Sequence, residues 1–460
     1  MILKTSDIDM LHGKLTKKLL LFTLPIALSS MVQQLFNAAD TAVVGYFSDA
    51  SALAAVGTNA EIIALIITVS SGLSAGVNIL IASLIGRNEN QKTPIAVQTA
   101  VLLSVLFGIA GVLIGQAVTA PILRLICTPE HIFRSAELYL RIYLLGYPFL
   151  LLYDFCSAIL RARGNSRYPF FALVVSGTVN IGLNLFFVTV LHMDVSGVAL
   201  ATAVSNGLSS FLVLLRLKKE GQFRLRRHKP FISPSFIGEI LKTGIPSAIQ
   251  GAVFCLANIF VQASVNHFGE TAIAGSTIAM NFEYFTYYII TAFGQTATTF
   301  TGQNYAAKQY TRCRNILWRC LLLSVLCSSV PIFTIVLFRN PLSGLFSPDA
   351  AVIENAGVRI ICILLFEPIC NLYEIPAGAM RGCGHATYPA VSTMIGTCVF
   401  RIVWIYTVFQ SNPTLPILYR AFPLSWVITV LLVNIGGAII ACKGKNKKKE
   451  NTNQCSALTE

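Results

Sequence analysis

Apolar runs of about 20 residues recur from one end of this chain to the other, each long enough to cross the hydrocarbon core of a bilayer as a helix. Twelve such runs fit within the 460 residues. The first six are 19–45, 52–84, 94–118, 136–160, 166–190 and 196–216. The second six are 236–265, 272–300, 314–338, 355–379, 387–409 and 416–442. They are too long and continuous for barrel strands. Lipid offers no partner to backbone polar groups, so each run must close its own hydrogen bonds as a helix. Only 12% of the residues are charged, against about 25% in a soluble chain. The expected fold class is an all-α integral membrane protein with twelve transmembrane helices.

The net charge of +14 would suggest nucleic acid in a soluble protein. Here the positions of the charges exclude that partner. Of 34 Lys and Arg, 27 fall in the N-terminus, in alternate connections and in the C-terminal tail. They include Lys14, Lys17, Lys18, Arg224, Arg226, Arg227, Lys447, Lys448 and Lys449. By the positive-inside rule both termini are expected in the cytoplasm and the chain in the cell (inner) membrane. The first run, after Lys14, Lys17 and Lys18, is too long for a signal-peptide core and is read as an uncleaved helix. Twelve cysteines do not suggest a disulfide framework. Most lie inside the apolar runs, and Cys127 is the one expected in an external loop. No metal-ligand spacing is present.

The chain is one six-helix unit written twice. Arg161-Ala-Arg-Gly164-Asn-Ser-Arg-Tyr168-Pro169 is echoed by Arg381-Gly-Cys-Gly384-His-Ala-Thr-Tyr388-Pro389. Tyr153-Asp154 is echoed by Tyr373-Glu374, Pro25 by Pro246, Asn37 by Asn258, and Gly86 by Gly302. An even number of spans per copy makes this a parallel repeat, which is a transporter architecture. The expected layout is a cytoplasmic N-terminus (1–18), an N-lobe (19–216), a basic linker (217–235), a C-lobe (236–442) and a basic tail (443–460), the two lobes being pseudo-symmetric.

Ionisable residues inside spans are costly and ask for a reason. On the first run Gln33, Asn37 and Asp40 share a helical face, with Gln34 beside them. Asp40 is either a proton or cation site or a solvated helix end. Its repeat counterpart is Val261, so the acid belongs to the N-lobe alone. Asn180 and Asn184 lie one turn apart on the fifth run and either complete a polar site or bond between helices. In the second half, Glu283 stands among Tyr284, Phe285 and Tyr287. This group suits an organic cation, or else an aromatic belt. Glu367 precedes Pro368 at a hinge, a binding position or an ordinary kink. Asp154 with Arg161, and Glu374 with Arg381, are two turns apart and near helix ends, as gate or structural ion pairs. Counting Asp40, Glu61, Glu283 and Glu367 against chiefly Arg401, buried acids outnumber buried bases, and the expected substrates are lipophilic cations. No nucleotide loop or zinc motif is present, so the chain is not expected to be an enzyme.

Leu24-Pro25 followed by Asn37-x-x-Asp40, Ala52-Leu-Ala-Ala-Val-Gly57, Gly302-Gln-Asn-Tyr305 and the two Arg-x-x-Gly-x-x-x-Tyr-Pro junctions resemble the multidrug and toxic compound extrusion (MATE) family over about residues 14–442. The resemblance implies two six-helix lobes in a V, and export of small, often cationic compounds coupled to H+ or Na+, with no other cofactor. It implies that Asp40 is the coupling acid and Asn180 a polar partner. Asn184 stands where many members have an acid, and the acid associated with sodium coupling on the seventh span is missing. The expected state is a monomer in the bilayer. The alternatives are a related flippase-type exporter of lipid-linked or polymeric sugars, and a major-facilitator transporter. Gly86-Arg-Asn-Glu-Asn90 does not match the loop motif of the latter.

Overall fold

The structure, a computed structural model, describes residues 7–48, 50–126, 128–221 and 232–457, with side chains described as far as residue 439. Cys127 and the linker residues Arg224, Arg226 and Arg227 lie outside the described residues, as do the side chains of Lys447, Lys448 and Lys449.

Helical runs occupy the twelve expected places. In the first half these are α1 (Leu15–Phe47), α2 (Ala50–Gly86), α3 (Thr93–Leu125), the pair α4 (Glu130–Leu145) and α5 (Tyr147–Ala162), α6 (Arg167–Leu185) and α7 (Asp194–Lys219). A π-helical turn, Phe186–Val190, extends α6. The second half begins with α8 (Pro234–Asn266), α9 (Glu270–Ala306) and α10 (Tyr310–Leu337). A short α11 (Arg339–Gly344) precedes α12 (Ala350–Cys362), which passes through a 3-10 segment, Leu364–Cys370, into α13 (Asn371–Gly382). Then α14 (Thr387–Thr393) and α15 (Phe400–Trp404) are joined and followed by π-helical turns, Met394–Val399 and Ile405–Phe409, and α16 (Leu415–Ala457) closes the chain. Among the described residues nine helices are long and apolar enough to cross a membrane, ten when α4 and α5 count as one span. The remaining two places are α9, rich in Thr, Asn, Gln and Tyr, and the broken run from α12 to α13.

Two expected single helices are broken. The run expected at 136–160 bends by 42° between α4 and α5, and the run expected at 355–379 loses α-helical form over Leu364–Cys370. The breaks fall at matching repeat positions, Pro148 and Pro368, where proline removes a backbone donor. At the other end, α16 runs beyond the expected boundary at 442 to Ala457.

The repeat is written into the hydrogen bonds. Leu160 O accepts from Asn165 N at 2.9 Å, and Met380 O from His385 N at 3.0 Å, closing α5 and α13 in the same way. The following glycines have positive φ, +98° at Gly164 and +86° at Gly384, as this helix ending demands. Tyr168 Oη donates to Leu212 O at 3.3 Å, and Tyr388 Oη to Leu432 O at 3.0 Å.

The chain condenses into two units that do not part at the linker. One holds residues 1–255 and 298–319, the other 256–297 and 320–460. In the first unit a Cβ on Gly76 would lie 2.2 Å from Ile240 O, and one on Gly86 would lie 2.1 Å from Gln303 O. Glycine on α2 therefore lets the backbones of α8 and α9 approach closely, which draws their ends into this unit. Val77, Leu80, Ile81, Val97, Leu151 and Phe155 lie in its core. Outward faces stay apolar, as Leu106, Ile109, Leu113 and Ile114 on α3 show, because their solvent is lipid.

Candidate functional site

Close approach builds the polar site in the first unit. A Cβ on Gly177 of α6 would lie 1.7 Å from the Phe36 ring of α1, so only glycine admits this contact. One turn beyond Phe36 stands Asp40; one and two turns beyond Gly177 stand Asn180 and Asn184. All three polar residues are buried. Asn184 Nδ2 donates to Asp40 Oδ1 at 2.5 Å and to Asn180 Oδ1 at 3.2 Å. Thr202 Oγ on α7 shares its proton between Asp40 Oδ2 at 3.3 Å and Val198 O at 3.0 Å. Asn180 Nδ2 reaches Thr202 Oγ at 3.4 Å. The four side chains thus form a closed ring.

Asp40 has no ion-pair partner among the described residues; both of its hydrogen-bond donors are neutral. Asn184 Oδ1 is buried and accepts no hydrogen bond among the described residues. The ring therefore offers carboxylate, amide and hydroxyl oxygens to a hard cation, or a carboxylate to a proton. Among the described residues no group of three or more His, Cys, Asp or Glu could hold a metal ion.

Thr202 was not singled out in the sequence. Its signal is the spacing Thr202, Ser205, Ser209, a small polar stripe on α7. Asn37, expected beside Asp40, is exposed, and its backbone carbonyl accepts from Thr41. Its side chain is outside the ring. Gln33 and Gln34 are half-buried on α1, and Glu61 is exposed.

In the second unit the expected aromatic cradle around Glu283 is instead an ion pair. Arg359 grips the carboxylate with two bonds, Nε to Oε1 at 2.7 Å and Nη2 to Oε2 at 2.8 Å. Its third nitrogen donates to Ser276 Oγ at 2.7 Å, and its guanidinium lies over the rings of Tyr419 and Phe422. Tyr284 stacks with Tyr288, and Tyr287 packs into the core. The expected excess of buried acids over bases shrinks accordingly. Arg359 joins Arg401, and both are buried. Arg359 lies in an apolar run, so the criterion that picked out Glu283 should also have found it.

Arg401 donates to Ser425 Oγ at 3.2 Å and to Asn258 Oδ1 at 3.4 Å, with its guanidinium 3.9 Å from the Phe422 ring centre. Glu367 is buried in the 3-10 segment, accepts from Thr286 Oγ at 2.6 Å and has no ion pair among the described residues. The two repeat junctions differ. Glu374 pairs with Arg381 at 2.5 Å, whereas Asp154 accepts from Ser70 Oγ at 2.6 Å and Arg161 Nε turns to Ser157 O at 3.4 Å.

A family model, MatE, matches twice, over residues 25–186 and 246–407. The chain belongs to this family, the MATE transporters. A relative named as a probable multidrug resistance protein, YoeA of Bacillus subtilis, is 24% identical over 424 residues, 90% of this chain and 91% of its own. A probable multidrug resistance protein NorM of Thermotoga maritima is 27% identical, covering 85% of this chain and 84% of its own. The crystal structure of a MATE protein in a bent conformation matches with a TM-score of 0.87 at 21% identity, over 95% of this chain and 98% of that one. A MOP-superfamily transporter from Pyrococcus furiosus, described as having a binding pocket of reversed polarity, matches with a TM-score of 0.86 at 21% identity, over 95% and 98%. Solved members have two lobes of six helices, the architecture expected from the repeat.

Proposed function

We propose that this protein is a secondary exporter of small lipophilic organic cations, driven by H+ or Na+ exchange at Asp40. The observation that carries the reading is the Asp40 ring: a buried carboxylate held only by neutral donors, next to the orphaned Asn184 oxygen. A structural carboxylate at this depth would be expected to have a cationic partner, as Glu283 has. An exchange site must lose and regain its positive charge, so a permanent cationic partner would defeat it. The names of relatives, probable multidrug resistance proteins, support the substrate class. Glu367 is the acid in the second unit left for contact with a cationic substrate. Asp154 with Arg161 and Glu374 with Arg381 are proposed gate or structural groups. The protein is placed in the cell membrane, with both termini cytoplasmic, on the distribution of basic residues.

A second reading is favoured by one observation. Arg401 is buried in the second unit beside Phe422, which suits an anionic headgroup and hence a flippase-type exporter of lipid-linked sugars. Proteoliposomes carrying imposed H+ or Na+ gradients distinguish the two. Ethidium accumulation that follows either gradient supports the first reading; movement of anionic lipid-linked sugars without ethidium movement supports the second.

A further inference from the structure

The expected layout treats the N-terminus as a plain tail, yet residues 7–14 are tied down along their length. Met10 is 1% exposed. Its carbonyl accepts from Asn304 Nδ2 at 3.1 Å and from Arg312 Nε and Nη2 at 3.2 Å each. Arg312 also donates to His12 O at 2.9 Å and Gly13 O at 3.0 Å. One guanidinium thus binds the carbonyls of Met10, His12 and Gly13, in a segment with no secondary structure of its own. On the other side, Ile8 N donates to Gly164 O at 3.2 Å, Asn165 Nδ2 donates to Asp7 Oδ1 at 3.4 Å, and Arg163 lies 3.7 Å from Asp7. Lys18 holds the bend through Asp9 O at 2.6 Å and His12 O at 2.7 Å.

The segment therefore bridges the α5–α6 junction of the first repeat and the α9–α10 turn of the second. Beneath it α9 meets the end of α5, Gln303 Nε2 donating to Ala162 O at 2.6 Å, and meets α2, Thr299 Oγ donating to Asn78 Oδ1 at 2.9 Å. The segment adds a layer across these interior contacts. Gly164 fits its role: a Cβ there would lie 2.4 Å from Ile8 O, whereas its repeat counterpart Gly384 has nothing within 4 Å. The repeated loop has room for a strap at one copy, and the strap is there.

We propose that residues 7–14 are a strap holding the α9–α10 turn to the α5–α6 junction and that Arg312 is its catch. The α9–α10 turn then separates from the α5–α6 junction only after the strap lets go. Removing Arg312 leaves the Met10 and Gly13 carbonyls without a charged donor and loosens the strap, while His12 O keeps its bond from Lys18. The inference goes beyond the coupling reading, because it concerns how one end opens and not what crosses.

The test uses the full chain on a cysteine-free background, with spin labels at the exposed positions Arg167 and Arg314. Arg312→Ala is expected to raise the long-distance population roughly tenfold, the effect of losing about one charge-assisted hydrogen bond. Arg312→Lys should fall between Arg312→Ala and wild type. An unchanged distance distribution in well-folded Arg312→Ala overturns the proposal. The second arm does not depend on that variant's stability. His12→Cys/Arg312→Cys is bridged with a flexible, reducible thiol linker, which replaces the catch by a covalent one. Ethidium exchange in vesicles should stop when the bridge forms and return on reduction. Bridged protein that exchanges ethidium as fast as the reduced form overturns the proposal. The distance arm needs no substrate, so a failure of the cation-export reading would leave it standing.

Discussion

Arg359 and Glu283 show what a buried charge in this protein requires. Their side chains are 4% and 14% exposed and meet through two parallel bonds. Arg359→Gln strands the carboxylate and is expected to cost about 3–5 kcal/mol. The double variant Arg359→Gln/Glu283→Gln should recover much of that. Thermal unfolding in detergent across the cycle measures it, and equal losses in single and double variants would refute the pairing. Asp7, on the strap, titrates in a way that can be followed. Burial is the largest influence on its carboxyl and raises it above the usual carboxylate value, with Glu220 adding and Arg163 and Arg216 opposing. A raised folded-state value means that its contribution to docking is present at low pH and is lost as pH rises through that value. The mobility of a spin label attached at Ile8→Cys should therefore increase as pH rises from about 4 to about 8, and Asp7→Asn should flatten the profile. Mobility that falls over this range would contradict it. Asp40 was legible in the sequence as an acid on a polar helix face. Thr202 was not picked out, because a lone threonine on a small-residue helix acquires meaning only when helices pack; Arg359 was visible as a charge in an apolar run, but its partner 76 positions away was not.

At the scale of elements, glycines decide which helices touch. Gly76 faces a backbone carbonyl, with Ile240 O at 2.2 Å from its would-be Cβ, while Gly177 faces the Phe36 ring at 1.7 Å. A ring can swing aside; a carbonyl in a helix cannot. Gly76→Ala is thus expected to destabilise more than Gly177→Ala, by roughly 1–3 kcal/mol for the former. Phe36→Ala should rescue Gly177→Ala, and no side-chain change at Ile240 should rescue Gly76→Ala. Detergent melting curves of the four variants decide it. The repeat offers a second comparison. Gly164→Ala and Gly384→Ala both impose strain at positive φ, about 1 kcal/mol, but only the first also displaces Ile8. A larger loss at Gly384 would contradict this. Helix places and the repeat were visible in the sequence because hydropathy and the Arg-x-x-Gly-x-x-x-Tyr-Pro junctions are local patterns. The breaks at Pro148 and Pro368 were less so: proline marks a missing donor, but neighbouring helices decide whether the span bends.

The whole molecule is a doubled six-helix unit whose halves have diverged in charge. The first repeat keeps Asp40 with neutral partners. The second has Val261 at the matching position, a buried arginine at 401 and a paired acid at 283. Symmetric architecture supplies two lobes, and the asymmetric chemistry is why coupling is proposed for one of them. Asp40→Asn keeps the size of the side chain and removes its charge, so packing against α6 should survive. The decisive measurement is ethidium transport by this variant in proteoliposomes under imposed H+ and Na+ gradients, with reconstitution and melting temperature checked separately. The account predicts a folded protein whose transport no longer follows either gradient. Full gradient-driven transport by Asp40→Asn would contradict it and move coupling to Glu367.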